Sequence, residues 1–466
     1  MPLTIYNTLT RAKVEFTPIE SGKIRLYVCG MTVYDYCHIG HARVLVSFDV
    51  ITRFLRSQDW SVEYVRNITD IDDKILNRAN ENGEEYTDLT RRFIDAMHED
   101  EAQLNVLPPD QEPRATAHID NIIKMVADLV DKGFAYQANN GDVYYRVNKF
   151  DSYGKLSGKK PDELLSGARV EVGEAKEDSR DFVLWKSAKP EEVFWDSPWG
   201  KGRPGWHIEC SAMTKACLGN TFDIHGGGPD LPFPHHENEI AQSEAANGCK
   251  FVNYWMHAGA VRVDGEKMSK SLGNFFTIRE VLKKYHPEVV RYLIVSSHYR
   301  SAINYSEENL IEAKAGLDRF YQTLKMYGDI QAATTESLAN SSWYQRFVDA
   351  MNDDFNTRVA LATMYELVKE INAAAKNDID KAQSLVAELK AMANILGVLQ
   401  ADALEFLQSS SSDAGLSVEE IEAYIEERQQ AKLDKNYGRA DEVRMLLTEQ
   451  GIVLEDSSEG TSWRRE

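Results

Sequence analysis

The chain has few cysteines, no long apolar run and no excess of positive charge, and each shortage removes a class of protein. Five cysteines scattered through 466 residues cannot staple a secreted disulfide scaffold, so a reducing cytoplasm is the expected setting. No run approaches the ~18 apolar residues of a membrane span, and the first residues lack the charged-then-apolar pattern of an export signal. Basic residues are outnumbered, 53 Lys and Arg against 74 Asp and Glu, for a net charge of −21. A generally basic nucleic-acid binder is thereby excluded. One basic face on an acidic protein still holds a polyanion, while the acidic remainder limits non-specific RNA retention. A Walker phosphate loop is missing too, so any grip on a nucleotide is of another kind. The charged (27%) and apolar (43%) fractions are those of a globular chain, and this length suggests about three domains.

What the chain does have is two short peptides far apart: His38-Ile39-Gly40-His41 and Lys267-Met268-Ser269-Lys270-Ser271. The first follows an apolar run ending Leu26-Tyr27-Val28-Cys29-Gly30. It opens an amphipathic helix with Val44, Phe48, Ile51 and Leu55 on one face. Two imidazoles are thus expected at a strand-to-helix turn, where helix N-terminal N–H groups favour phosphate. The second peptide follows the strand-like Phe251–Met256 and a turn at Asp264-Gly265. It sets two lysines and two hydroxyls on a short loop. Together the peptides describe a grip on a triphosphate from two sides.

The stretches Ile24–Gly30, Ala42–Arg56 and Ser61–Asn67 read strand, helix, strand, one βαβ unit of a parallel sheet. Helical periodicity runs through Tyr86–Leu104 and Ala115–Lys132. The pattern then breaks at a turn, Gln137–Asp142, followed by a basic stretch, Lys155–Lys160, and an acidic one, Glu171–Asp178. It resumes with a helix Trp206–Leu218, a strand Phe222–His225 and a helix His235–Ala246. Residues 133–204 therefore read as an insertion into an α/β fold. Beyond the lysine loop, Ile278–Lys284, Glu288–Val295, Glu308–Met326, Trp343–Met351, Thr357–Ala374 and Lys381–Leu396 carry the three-four spacing of a helical bundle. Leu407–Gly415 reads as a linker, Ser417-Val418-Glu419-Glu420 as a capping box, and Gly451–Leu454 with Thr461–Arg465 as a hairpin.

A metal site is also legible. His235 and Glu239 lie four apart at a helix start after Pro234, so both project from one face. Cys29 ends the first strand, and Cys210 lies on the helix beginning near Trp206. In an open α/β sheet, strand ends and the following helix starts converge on one crevice. Two sulfurs, an imidazole and a carboxylate suit zinc. The residues alone leave Cys217, on the same helix face as Cys210, together with His207 and His236, as competing ligands. Cys249 reads as a plain small hydrophobe, and Cys37 beside His38 raises a weaker thiol-nucleophile hypothesis.

The paired signatures resemble those of class I aminoacyl-tRNA synthetases. The stretches Tyr27–Val33, Pro234–Glu239 and Thr461–Arg465 are similar to the cysteinyl-tRNA synthetase family within that class. The resemblance implies ATP-dependent activation of L-cysteine and its transfer to the 3′-terminal adenosine of tRNA(Cys). It selects Cys29, Cys210, His235 and Glu239 as the ligands of one Zn2+, and brings Mg2+ with the ATP. It assigns His38, Gly40, His41, Asp230, Lys267, Ser269 and Lys270 to ATP, with His38, His41, Lys267 and Lys270 catalytic. Gly30, Thr69, Trp206 and His225 fall to the substrate. The implied domains are a Rossmann-like catalytic domain (1–132 and 205–260), a connective insertion (133–204), a loop and stem-contact region (261–305), a helical bundle (306–400), a linker (401–416) and an anticodon-binding α+β domain (417–466). In the last, Tyr437, Arg439, Arg444, Trp463, Arg464 and Arg465 are candidates to meet unstacked bases. A monomer is the economical expectation. Two other readings share the catalytic core: a ligase joining cysteine to an amino-sugar, and a non-catalytic RNA-binding descendant. A C-terminal half too large for a small acceptor argues against the first, and intact signatures argue against the second.

Overall fold

The structure, a computed structural model, describes every residue except 160–174, 269–273, 410–415, 458–459 and 466; of Lys267 and Ser457 it describes the backbone. It divides into two compact units. The first comprises residues 1–261, 298–303 and 351–356. At its centre is a four-stranded parallel sheet in the order Val252–His257, Phe222–Gly227, Lys23–Val28, Ser61–Arg66. Ile24, Leu26, Tyr27 and Val28 are fully buried, as expected of a parallel strand covered on both faces. From Lys23–Val28 the chain crosses through the helix Ile39–Ser57 to Ser61–Arg66 on one side. The later strands lie on the other side, so the winding reverses between Lys23–Val28 and Phe222–Gly227. A ligand crevice belongs at such a reversal, beyond the carboxyl ends of the strands. Cys29 sits there, its N–H bonded to the Gly226 carbonyl at 3.1 Å.

Backbone crowding at this point selects glycine. A Cβ on Gly30 would stand 1.6 Å from the Asn67 carbonyl oxygen, and one on Gly226 would stand 2.3 Å from the Phe48 ring. The expected strand-to-helix turn is longer than a turn, since residues 29–38 separate the strand from the helix. The segment read as an insertion carries an antiparallel sheet of Ala135–Gln137, Val143–Tyr145, Phe182–Ser187 and Gly202–Pro204. Among the described residues it packs into a core shared with the rest of the unit. Tyr145, Leu184 and Trp185 share it with Val126, Ile208, Ala212 and Ala241 from three helices of the same unit. Of the basic stretch only Lys160, and of the acidic stretch residues 171–174, lie outside the described residues.

The second unit comprises residues 262–297, 304–350 and 357–466. Its helices bury the expected stripes: Leu310, Leu317, Phe320 and Leu324 on Glu307–Leu324, and Leu361, Met364, Leu367 and Ile371 on Thr357–Ala374. The linker reading is corrected in part. Leu407 and Gln408 belong to a helix, Ala403–Gln408, because Phe406 and Leu407 are buried, with Phe406 stacked on Tyr321 at 4.1 Å. The rest of that stretch, 410–415, is outside the described residues. Ser417 and Glu420 do form a reciprocal capping box. Ile452–Ser457 and Gly460–Arg465 pair as the expected hairpin. Trp463 is 4% exposed in that hairpin's core, and Arg465 donates to the carbonyls of Gln408 and Leu416. Arg439 is paired with Glu427 and Glu442, and Arg464 lies 3.7 Å from Glu455. Tyr437 and Arg444 lie on the solvent face.

Candidate active site

The helix Ile39–Ser57 is capped by its own signature. His38 Nδ1 accepts from the N–H groups of Gly40 (3.1 Å) and His41 (3.3 Å), and His41 Nδ1 accepts from His38 N–H at 3.2 Å. The rings stack with centroids 3.6 Å apart. The expectation of backbone N–H groups offered to phosphate is therefore corrected at Gly40 and His41, whose N–H groups are turned to the His38 ring. Since each Nδ1 accepts, each neutral ring carries its proton on Nε2 and presents that N–H as a donor. Burial first, and then the His38 ring, pushes the His41 pKa well below its ordinary value. The pair is a neutral donor pair, not a cationic one.

At the switch point the four residues singled out for a metal come together. Cys29 Sγ lies 3.8 Å from Cys210 Sγ and 3.5 Å from Glu239 Oε1, and His235 Nε2 lies 3.1 Å from Glu239 Oε1. All four are buried, with donor atoms within 4.8 Å of one another. Two sulfurs each ~2.3 Å from one tetrahedral ion stand about 3.8 Å apart, so this donor set fits zinc in spacing as well as in chemistry. The sulfurs are inequivalent. Burial and the neighbouring Cys210 push the Cys29 thiol up, while a hydrogen bond from Cys29 brings Cys210 down to about 6. Burial disfavours charge on His235 and Glu239 alike, yet their mutual attraction wins. His235 is held at about 10, with Cys210 assisting, and Glu239 at about 2, with His225 and His235 both acting. A buried cluster with these carboxylate and thiol groups has the chemistry to hold a cation.

A second set overlaps it: Cys29, His225, His236 and Glu239. Access separates the two. His225 and His236 are fully enclosed, with Trp255 packed on both rings. His235 instead has Trp206 against it at 4.2 Å, and Trp206 is 38% exposed. Trp206 is thus the exposed residue packed against the first set. The histidines that competed as ligands orient their neighbours: His207 Nδ1 meets His235 Nδ1 at 2.9 Å, and His236 Nδ1 meets His257 Nε2 at 2.8 Å. Ligating imidazoles and carboxylates ordinarily have such partners. Cys217 packs at the edge of a neighbouring apolar cluster, Cys249 is exposed, and Cys37 is buried with Sγ 3.3 Å from Met31 Sδ.

Of the substrate candidates, Gly30 donates its N–H to Asn67 Oδ1 at 2.8 Å, and Thr69 is buried with its hydroxyl 3.2 Å from Glu209 Oε2. His225 is not on an open wall; it is fully buried and bonds Glu239 Oε2 through Nε2 at 2.9 Å. Asp230 is exposed in the loop after Phe222–Gly227. The strand pair Val261–Val263 and Glu266–Lys267 leads into the second signature. Ser269, Lys270 and Ser271 lie outside the described residues. The sequence reading missed Asn67, His257 and Glu209, which are single polar residues with no spacing signal to mark them. Another donor group, His98, Glu101 and Glu112, has Arg66 at 2.8–2.9 Å from both carboxylates, so a guanidinium already neutralises it.

Comparison with known proteins agrees with this geometry. The family described as "tRNA synthetases class I (C) catalytic domain" matches residues 15–315, and a "DALR domain" matches residues 346–400. The chain is 61% identical over 464 residues to the cysteine–tRNA ligase of Ectopseudomonas mendocina (strain ymp), covering 100% of this chain and 99% of that one. It is 60% identical over 465 residues to that of Hahella chejuensis (strain KCTC 2396), covering 99% and 100%. Among solved structures, Mycobacterium tuberculosis methionyl-tRNA synthetase in complex with methionyl-adenylate shares the fold, with a TM-score of 0.56 at 15% identity over 83% of this chain and 91% of that one. Full-length relatives named as tRNA ligases set aside both the amino-sugar ligase and the non-catalytic RNA binder. The chain belongs to the cysteine–tRNA ligase family, class I synthetases that activate cysteine with ATP and charge tRNA with it.

Proposed function

We propose that this enzyme charges tRNA(Cys) and selects L-cysteine through one zinc ion held by Cys29, Cys210, His235 and Glu239. The observation that carries the reading is the buried two-sulfur, imidazole and carboxylate constellation at the switch point. Cysteine and serine differ by one chalcogen, which a shape-fitting pocket separates by only ~10–200-fold. Zinc held by these four residues would supply a soft Lewis acid that binds a substrate thiolate in preference to a hydroxyl. The chain's own groups do the rest. Trp206 walls the approach beside His235, while Thr69 and Gly30, whose lack of a Cβ lets the Asn67 carbonyl close in, take the backbone of the cysteine. His225 serves as the buried partner of Glu239.

The cysteine carboxylate attacks the α-phosphate of ATP in line, releasing pyrophosphate, and the tRNA 2′-hydroxyl then attacks the carbonyl of cysteinyl-adenylate, forming the ester and releasing AMP. Positioning and charge neutralisation dominate such transfers. His38 and His41 donate their Nε2–H to phosphate oxygens along the Gly40 turn, and Lys267, Ser269 and Lys270 close on the β- and γ-phosphates. Asp230 meets the ribose, and Mg2+ travels with the ATP. Residues 306–400 lie along the tRNA, and 417–466 read the anticodon, with Tyr437 and Arg444 the accessible candidates. The enzyme works as a cytoplasmic monomer. Pyrophosphate exchange with cysteine and with serine, before and after zinc removal, tests the reading. Cysteine activation is expected to collapse on stripping, and a preference that survives zinc removal would sink the metal role.

A further inference from the structure

The metal-bearing helix is held from behind by a strap of the insertion, and we infer that Glu237 and residues 153–157 are positioning elements for the metal ligands. His235 and His236 lie in an irregular turn, Pro232–His236, where Phe233 is non-helical (φ −146°, ψ 132°). The helical run is thus broken just before His235 and His236, so the chain preceding them does not brace them as a continuous helix would.

Glu237, two residues before Glu239, is fully buried, and its Oε2 accepts the N–H groups of Ser157 at 2.9 Å and Leu156 at 3.2 Å. Asn238 accepts the Tyr153 hydroxyl, and Glu244 pairs with Lys155 at 2.6 Å. Three side chains along the helix Glu237–Asn247 thus bind one short strap. The strap is itself anchored: Arg11 donates to the Ser157 carbonyl at 3.1 Å. Leu156, 2% exposed, enters the cluster of Tyr27, Cys29, Cys210, Ile240 and Trp255. It therefore backs the two sulfurs, while Glu237 fixes the turn carrying the imidazole and the carboxylate. A fully buried carboxylate that accepts two backbone N–H groups of the strap fixes helix and strap together, because parting takes both bonds from the carboxylate.

The inference rests on the zinc reading and extends it to a residue that touches neither metal nor substrate. The test measures zinc release from full-length zinc-loaded enzyme to a colorimetric chelator, with KM for cysteine and for ATP in pyrophosphate exchange. Glu237→Ala is expected to release zinc about tenfold faster, in the range for residues that orient ligands. It should raise KM for cysteine and leave KM for ATP unchanged, and Glu237→Gln, which keeps an oxygen in place, should recover most of both. Leu156→Val probes the same strap if Glu237→Ala folds poorly. Tyr145→Phe removes another buried bond between the insertion and this helix, to the Ala241 carbonyl, and serves as the purely structural control. Zinc release at the wild-type rate in Glu237→Ala and Leu156→Val overturns the strap's role, as does equal acceleration in Tyr145→Phe at an equal loss of Tm. A wild-type enzyme that holds no zinc overturns the zinc reading itself.

Discussion

Two histidine sites of the first unit are held in different charge states. At the head of the helix Ile39–Ser57, burial and the neighbouring ring keep His41 neutral. Across the switch point, Glu239 and Cys210 overcome burial and hold His235 protonated up to about 10. Both rings are largely withdrawn from water, so desolvation alone does not decide the outcome. The difference is the company: another imidazole in one case, a carboxylate and a thiolate in the other. The lesson is about division of labour. A neutral pair with its protons on Nε2 suits donating to a polyphosphate that brings its own Mg2+, and an anionic cluster suits a resident cation.

The largest expected effect breaks the anionic side. Cys210→Ala should lower kcat/KM for cysteine by at least ~10³-fold and bring the cysteine-to-serine ratio toward the ~10²-fold of shape alone. Pyrophosphate exchange with both amino acids reads it, and a ratio left intact means that Cys210 does not select the substrate. Next comes the neutral side. His38→Asn keeps a side chain able to cap the helix, so stability should stay within about 1 kcal/mol. Activation should nevertheless fall ~10²–10³-fold through loss of an oriented donor, with zinc content unchanged. Full activity would leave His38 as a helix cap and nothing more. Trp206→Ala, which strips the wall beside His235, should raise KM for cysteine about tenfold, equivalent to ~1.4 kcal/mol, and spare KM for ATP. An unchanged KM for cysteine would move the approach elsewhere.

The smallest effect checks the charge logic away from the crevice. A hydrogen bond to Glu112 raises the pKa of His98 above its ordinary 6.5 despite partial burial. The stabilisation from this pair is therefore complete below about 6.5 and fades as pH rises through the raised folded value. Urea midpoints of wild type and His98→Gln should differ by no more than about 1 kcal/mol at low pH, as half-exposed pairs do, and converge at alkaline pH. A gap that widens with pH would reverse the assigned sign.

Much of this was legible in the residues, and the reasons are local. Apolar runs bounded by glycine gave the sheet strands to within two residues, because a strand covered on both faces is apolar along its length. The three-four stripes gave the bundle helices for the same kind of reason. Elements with a thin stripe were missed: Asp73–Asn82 buries only Ile75 and Ala79, and Tyr437–Glu449 only Ala440, Val443 and Leu447. Trp463 and Arg465 looked like RNA contacts because exposure cannot be read from a name. The burial of Trp463 in a core shared by the hairpin and two helices, and the bonds of Arg465 to two carbonyls, are tertiary facts.

The sequence by itself determined whatever depends on neighbours within a turn or two: the His38–His41 cap, the Ser417–Glu420 box, the strands and the helix stripes. It also held the metal residues, but left Cys217, His207 and His236 beside them as equals. Only the tertiary structure brings Cys29, Cys210, His235 and Glu239 together, leaves Cys217 and His207 out of that group and keeps His236 in an overlapping one. Cys29 stands 181 residues from Cys210 and 210 from Glu239 in the chain. What brings them within one ion's reach is the register of parallel strands and the strap behind the helix, and no local preference encodes a distance between atoms so far apart along the backbone.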